Sequence, residues 1–250
     1  MYINDTHIGF YLVAAILGLV VGQFIDWMNK RLPEYKKVFT REIINEYKFN
    51  FKPNYILMLL TAVIYICLIY RYGIQDNLIE NLNLIKYTIL TPMLISAFVI
   101  DYRLQIIPNR LNLTMFEIGI VIAFLYGTSN VAITIDMLLG MIVGGGIFLA
   151  ITAIGALIYG KEAMGLGDVK LMGALGLYFG LTSIIIIEMI SFLIGAIVGI
   201  ILIVGKIKKS DEYIPFGPFI VIASFISIFI PVDILMIVLM KIFTLGMYQG

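Results

Sequence analysis

The chain has 250 residues, 61% of them hydrophobic and only 13% charged, with a mean hydropathy of +1.03 and a formal net charge of +1. Soluble domains carry about 25% charged residues, so this is the composition of an integral membrane protein, and its near-neutral charge offers nothing to nucleic acid. One cysteine, Cys67, and one histidine, His7, exclude a disulfide framework, a cysteine zinc site and histidine- or cysteine-based catalysis.

The apolar runs are continuous over ~17–25 residues, where barrel strands would alternate in ~10-residue stretches. The expected fold is therefore all-α, a polytopic membrane helical bundle forming one domain over 1–250. About eight spans are expected, near 8–28, 54–71, 84–101, 110–127, 133–159, 167–181, 183–205 and 215–230. The first has no basic stretch before it and no small-residue cleavage site after it. It reads as a signal anchor with the N-terminus outside. The segment 29–53 follows, with Lys30, Arg31, Lys36, Lys37, Arg41, Lys48 and Lys52, and reads as a short amphipathic helix or loop.

Threading eight spans from an outer N-terminus puts this segment on the cytoplasmic side. On the same side fall Arg103 and Arg110, Lys161 and Lys170, and Lys206, Lys208 and Lys209; outer segments keep Arg71, Lys86 and Lys241. This positive-inside pattern places Asp101 and Asp168 at one boundary, the cytoplasmic one. The sixth span is short and glycine-rich. The tail 231–250 reads as either an interfacial helix or a ninth span.

Asp101 closes the third run, in FVIDYRLQIIPN, and Asp168 sits in the turn MGLGDVKL. A carboxylate costs roughly 2.5–3.5 kcal/mol at the centre of a membrane helix and less near the surface. Taken singly, Asp168 also suits a plain helix N-cap and Asp101 a surface position beside Arg103. Together at one membrane face they are the minimum equipment of an aspartic protease. Gly165 and Gly167 break the helix before Asp168 and admit a second backbone, and Lys170 follows two residues on. Pro108, ahead of Asn109, suits the first turn of the next helix. The helix dipole divides the roles: Asp168, at a helix N-terminus, is the candidate general base, and Asp101, at a C-terminus, the candidate acid. A third string, Tyr213-Ile214-Pro215-Phe216-Gly217-Pro218-Phe219, reads as a rigid extended lead-in to the last span. It would offer unpaired backbone groups to a substrate strand. Glu117 and Glu188 read as packed or boundary residues.

These strings together resemble the type IV prepilin peptidase family, the bacterial GxGD aspartic membrane proteases. Asp101 with Ile107-Pro108-Asn109 is similar to its first catalytic aspartate and I-P signature, Gly165 to Lys170 to its G-x-G-D-x-K, and Pro215 to Phe219 to its P-F-G-P-F. Leu19 to Asp26, ending at Arg31-Leu32-Pro33, is similar to a degenerate form of the opening motif. The resemblance implies Asp101 and Asp168 as catalytic, with Pro215, Phe216, Gly217 and Pro218 near the substrate. It implies cleavage after a glycine, at the cytoplasmic face of the bacterial plasma membrane, of the basic leader of prepilins or pseudopilins, with no cofactor. Many members also methylate the new N-terminus with S-adenosylmethionine and carry a larger loop with a four-cysteine zinc motif. Here the loop is short and cysteine-free, and Gln23 and Asp26 depart from the usual serine and asparagine. Gly22, Gln23 and Asp26 are the candidate methylation region, and methylation stays open as a second activity. Two other classes compete. A presenilin-like GxGD protease would pair Y-D with P-A-L, where this chain has Ile100-Asp101 and Pro-Phe-Gly-Pro. A proton- or cation-coupled transporter would show paired broken helices in two related halves, which the sequence lacks. The substrate's identity, the oligomeric state and the species are not legible.

Overall fold

The structure is a computed structural model and describes the chain except residues 1, 5, 39, 41, 43–51, 78, 161–163, 207–213 and 245–250. Apart from a two-residue antiparallel ribbon, β1 (Tyr2–Ile3) with β2 (Thr6–His7), the described elements are helical. They are α1 (Ile8–Arg31), α2 (Tyr55–Tyr72), α3 (Leu82–Leu104), α4 (Asn109–Gly127), α5 (Val131–Tyr159), α6 (Leu166–Val204), α7 (Gly217–Phe229) and α8 (Val232–Phe243). The first six are long and apolar enough to cross a membrane. The helical membrane fold expected from composition is what the chain adopts.

The chain forms two compact units: one of Met1–Ile100 with Pro108–Leu111, the other of Asp101–Ile107 with Asn112–Gly250. In the first, α1 and α2 pack closely. A Cβ on Gly22 would lie 2.5 Å from the Met58 Cα, so only glycine allows that approach. Polar groups close the junction: Gln23 Oε1 accepts from the Asn54 N–H at 2.9 Å, its Nε2 donates to the Lys52 carbonyl at 3.1 Å, and Asp26 accepts from Asn54 Nδ2 at 2.8 Å. In α3, Pro92 has no N–H and leaves the Thr88 carbonyl without its helical donor. The Tyr65 hydroxyl of α2 supplies one, at 3.0 Å.

In the second unit α5 lies against α6. Gly140 and Gly176 meet backbone to backbone, and a Cβ on Gly176 would collide with the Gly140 carbonyl. The expected sixth and seventh spans are one run, α6, broken at Gly180 (φ 76°, ψ 177°). Only glycine holds that φ without strain. Asp136 of α5 accepts the Leu181 N–H at 3.2 Å and so caps the helix that restarts there. The stretch before the break is about 21 Å long at 1.5 Å per residue, short of a ~30 Å hydrocarbon core. The Tyr178 hydroxyl donates to the Met115 carbonyl at 2.8 Å and ties α6 to α4. α8, the described part of the tail, has 12 residues and spans about 18 Å, too short to cross by itself.

Candidate active site

Asp101 does not end its helix, as the run pattern suggests. α3 continues to Leu104, and Gln105 then takes a left-handed conformation (φ 56°) with its N–H on the Asp101 carbonyl at 2.8 Å. This is a left-handed helix cap, and it leaves Asp101 in the final turn. Its side chain is only 2% exposed. The Gly217 N–H donates to Asp101 Oδ2 at 2.9 Å.

Asp168 lies in the first turn of α6 and is 3% exposed. It is not the N-cap. Gly165 is, with extended φ/ψ and no side chain to offer. Asp168 takes the N3 position, where a carboxylate faces the positive end of the helix. Gly167 is tight against Ile107: a Cβ there would lie 3.3 Å from the Ile107 Cβ. The close approach expected of the glycine turn is thus made by the I-P segment's isoleucine. The two carboxylates interact electrostatically, and Asp101 has the Gly217 N–H on one side.

The other anticipated site residues divide. Phe216 and Gly217 come to Asp101, but not as a free extended edge. Phe216 is already in the helical region, α7 begins at Gly217, and Pro218 sits buried in its first turn. The Phe216 ring packs on Phe148, Phe192 and Phe219 at centroid distances of 5.8, 5.2 and 5.8 Å. Because the Gly217 N–H is taken by Asp101, the segment braces the carboxylate; Pro215 is half-buried just ahead of it. Tyr213, Lys208 and Lys209, like Arg41, Lys48, Lys161 and the stretch 43–51 of the 29–53 loop, lie outside the described residues. Lys170 is exposed and, two residues on from Asp168, lies roughly 200° round the helix from it. Pro108 is buried and Asn109 exposed at the start of α4. Gly22, Gln23 and Asp26 hold the α1–α2 junction, with Lys30 on Asp26 at 2.7 Å.

One buried polar residue escaped the sequence reading. Asn112, in the first turns of α4 and 3% exposed, donates through Nδ2 to the Gly167 carbonyl at 3.0 Å. Its Oδ1 is buried without a hydrogen-bond partner among the described residues. Glu188, read as a boundary or packed residue, is 3% exposed, and its Oε1 likewise lacks a partner among the described residues; Glu117 is exposed. The signal for Asn112 was weak: an amide in an apolar helix start, three residues after Asn109, looks like an ordinary boundary residue.

Fold and site define a helical membrane protein with a buried aspartate pair, Asp101 held by the Gly217 N–H. The model of the type IV leader peptidase family matches residues 88–200, the stretch that carries both aspartates, and over that stretch the chain is similar to that family. Among similar proteins are the prepilin leader peptidase/N-methyltransferases of Xanthomonas campestris pv. campestris (32% identical over 173 residues, 68% of this chain and 56% of that protein) and Legionella pneumophila (36% over 140 residues, 55% and 47%). That of Neisseria gonorrhoeae is 26% identical over 265 residues, 86% of this chain and 88% of its own length. The chain spans about half the length of the first two. No solved structure matches it.

Proposed function

We propose that this chain is an aspartic endopeptidase of the bacterial plasma membrane that removes the basic leader of type IV prepilins or pseudopilins. The cut falls after a glycine, at the cytoplasmic face, where the positive-inside pattern puts both aspartates. The observation that carries the reading is the pair itself: two carboxylates from distant helices, both almost fully buried and close enough for their charges to interact, with Asp101 held by a backbone N–H. Such a pair needs no nucleophilic side chain and no metal.

One carboxylate takes a proton from water as its oxygen attacks the peptide carbonyl carbon. The other, in its acid form, gives a proton to the carbonyl oxygen. The tetrahedral intermediate then collapses: the C–N bond breaks, the leaving amine takes the proton that the base had accepted, and one hydroxyl returns its proton to the spent acid as the carbonyl re-forms. The helix ends favour Asp168, in a first turn, as the base and Asp101, in a last turn, as the acid. The relatives' names carry a second activity, N-methylation. Were it retained here, S-adenosylmethionine would be the methyl donor. Gln23 and Asp26, its candidate residues, are engaged in holding α1 to α2.

The test is co-expression in membranes with a prepilin-like substrate whose basic leader ends in glycine, read by leader loss and by N-terminal mass. Cleavage after the glycine is expected, and it should vanish in Asp101→Asn and Asp168→Asn proteins that still insert. Full activity in either variant overturns the site. A product heavier by one methyl group would establish the second activity.

A further inference from the structure

We propose that Asn112 is a substrate-binding residue of this site, its amide clamping the glycine turn through Nδ2 and presenting Oδ1 to a backbone N–H of the bound peptide. The inference rests on the peptidase reading and extends it by one residue. Its ground is a hydrogen-bond imbalance. The Asn112 carboxamide is used on one side only: Nδ2 donates to the Gly167 carbonyl at 3.0 Å, while Oδ1 is buried and without a donor among the described residues. The Gly167 carbonyl requires a donor, so the amide orientation is fixed by that bond, and the unpaired atom is the oxygen. A buried acceptor left unpaired costs about 1–3 kcal/mol, a cost that a function explains better than packing does.

The location fits the peptide. Oδ1 shares a planar group with the nitrogen that binds Gly167, whose carbonyl leads directly into Asp168. In the resting site Asp101, Asp168 and Asn112 are 2%, 3% and 3% exposed. A peptide entering a dry site brings an N–H at every residue, and each must find an acceptor. The carboxylates serve the water and the scissile carbonyl, and the Gly217 N–H already donates to Asp101. Asn112 Oδ1 is an uncommitted acceptor beside this pair.

The experiment is an ester scan. A prepilin-like peptide is made in a series in which each backbone N–H flanking the scissile bond is replaced in turn by an ester oxygen. The series is cleaved by the wild-type protein, Asn112→Ala and Asn112→Leu in vesicles. With wild type, one ester position should lower kcat/KM roughly tenfold, the scale of one lost hydrogen bond. With either variant that same ester should cost nothing further. Equal ester penalties in wild type and variants at every position overturn the proposal and leave the peptidase reading intact. So does the loss of folding in both variants, which makes Asn112 a structural residue. Failure of the wild type to cleave any peptide of the series sinks the peptidase reading, and this inference with it.

Discussion

Replacing Gly217 by alanine should disable the site while leaving the fold standing. A Cβ at that position would lie 2.6 Å from Asp101 Oδ2, 3.1 Å from its Cγ and 3.2 Å from its Cβ. Ordinary contact begins near 3.4 Å, so the carboxylate oxygen must retreat by about 0.8 Å. That takes the 2.9 Å bond from the Gly217 N–H beyond hydrogen-bonding distance. A hydrogen bond to a charged group contributes about 1.5–3 kcal/mol. If it acts mainly when the site reaches its transition state, kcat falls roughly tenfold to a hundredfold and KM moves little. The assay is single-turnover cleavage of a prepilin-like peptide in proteoliposomes, with thermal unfolding measured alongside. Gly146→Ala is the control, since a Cβ there meets nothing within 4 Å. A Gly217→Ala protein that cleaves at the wild-type rate with an unchanged unfolding temperature would refute the idea that this N–H holds Asp101.

Gly180→Ala should be destabilising by about 1–3 kcal/mol, because alanine is strained at a φ of 76° and its Cβ would strike the Asp136 carboxylate. A lowered unfolding temperature in detergent micelles checks this, and an unchanged one removes the break from the account. Tyr65→Phe should cost roughly 1–2 kcal/mol by orphaning the Thr88 carbonyl. The same change in a Pro92→Ala background should cost much less, since alanine restores the helix's own donor to Thr88. Equal losses in both backgrounds would show that the hydroxyl does not compensate for the proline.

The helical membrane fold was legible because hydropathy acts residue by residue and needs no partner. So was the break between the sixth and seventh spans, since glycines cluster there. The reason for the break was not, because Asp136 caps it from another helix. The two aspartates were legible as local strings, each with its own glycines or proline. What holds Asp101 was not. The Gly217–Asp101 bond joins residues 116 apart, and the PFGPF string suggested a free extended edge where the chain makes a braced helix start. Asn112 was missed for the same cause: an amide's importance lies in what it faces across the fold. The division into two compact units, which cuts α3 at Asp101, has no marker in composition.

Backbone donors suit this chemistry for a physical reason. An aspartate pair works only if one member can hold a proton while the other does not. A lysine or arginine beside either carboxylate would hold it as the anion at every working pH. A peptide N–H fixes the geometry with a weaker electrostatic demand, and it cannot itself titrate. Glycine supplies that donor without a Cβ to crowd the carboxylate, and at Gly217 the crowding would be direct. The position that tests this is Asn112, whose side chain already reaches the Gly167 carbonyl beside Asp168. Asn112→Lys puts a cation there: it can keep the bond to Gly167 and adds a positive charge near the pair. Its cleavage rate should fall below that of Asn112→Ala across the whole pH range, with Asp168 locked as the carboxylate and unable to exchange its proton role with Asp101. Carboxyl stretching bands in infrared spectra of membranes, compared between wild type and Asn112→Lys, would report that locking directly. An Asn112→Lys protein as active as Asn112→Ala would mean that the pair tolerates a neighbouring cation, and that uncharged donors are not what keeps it working.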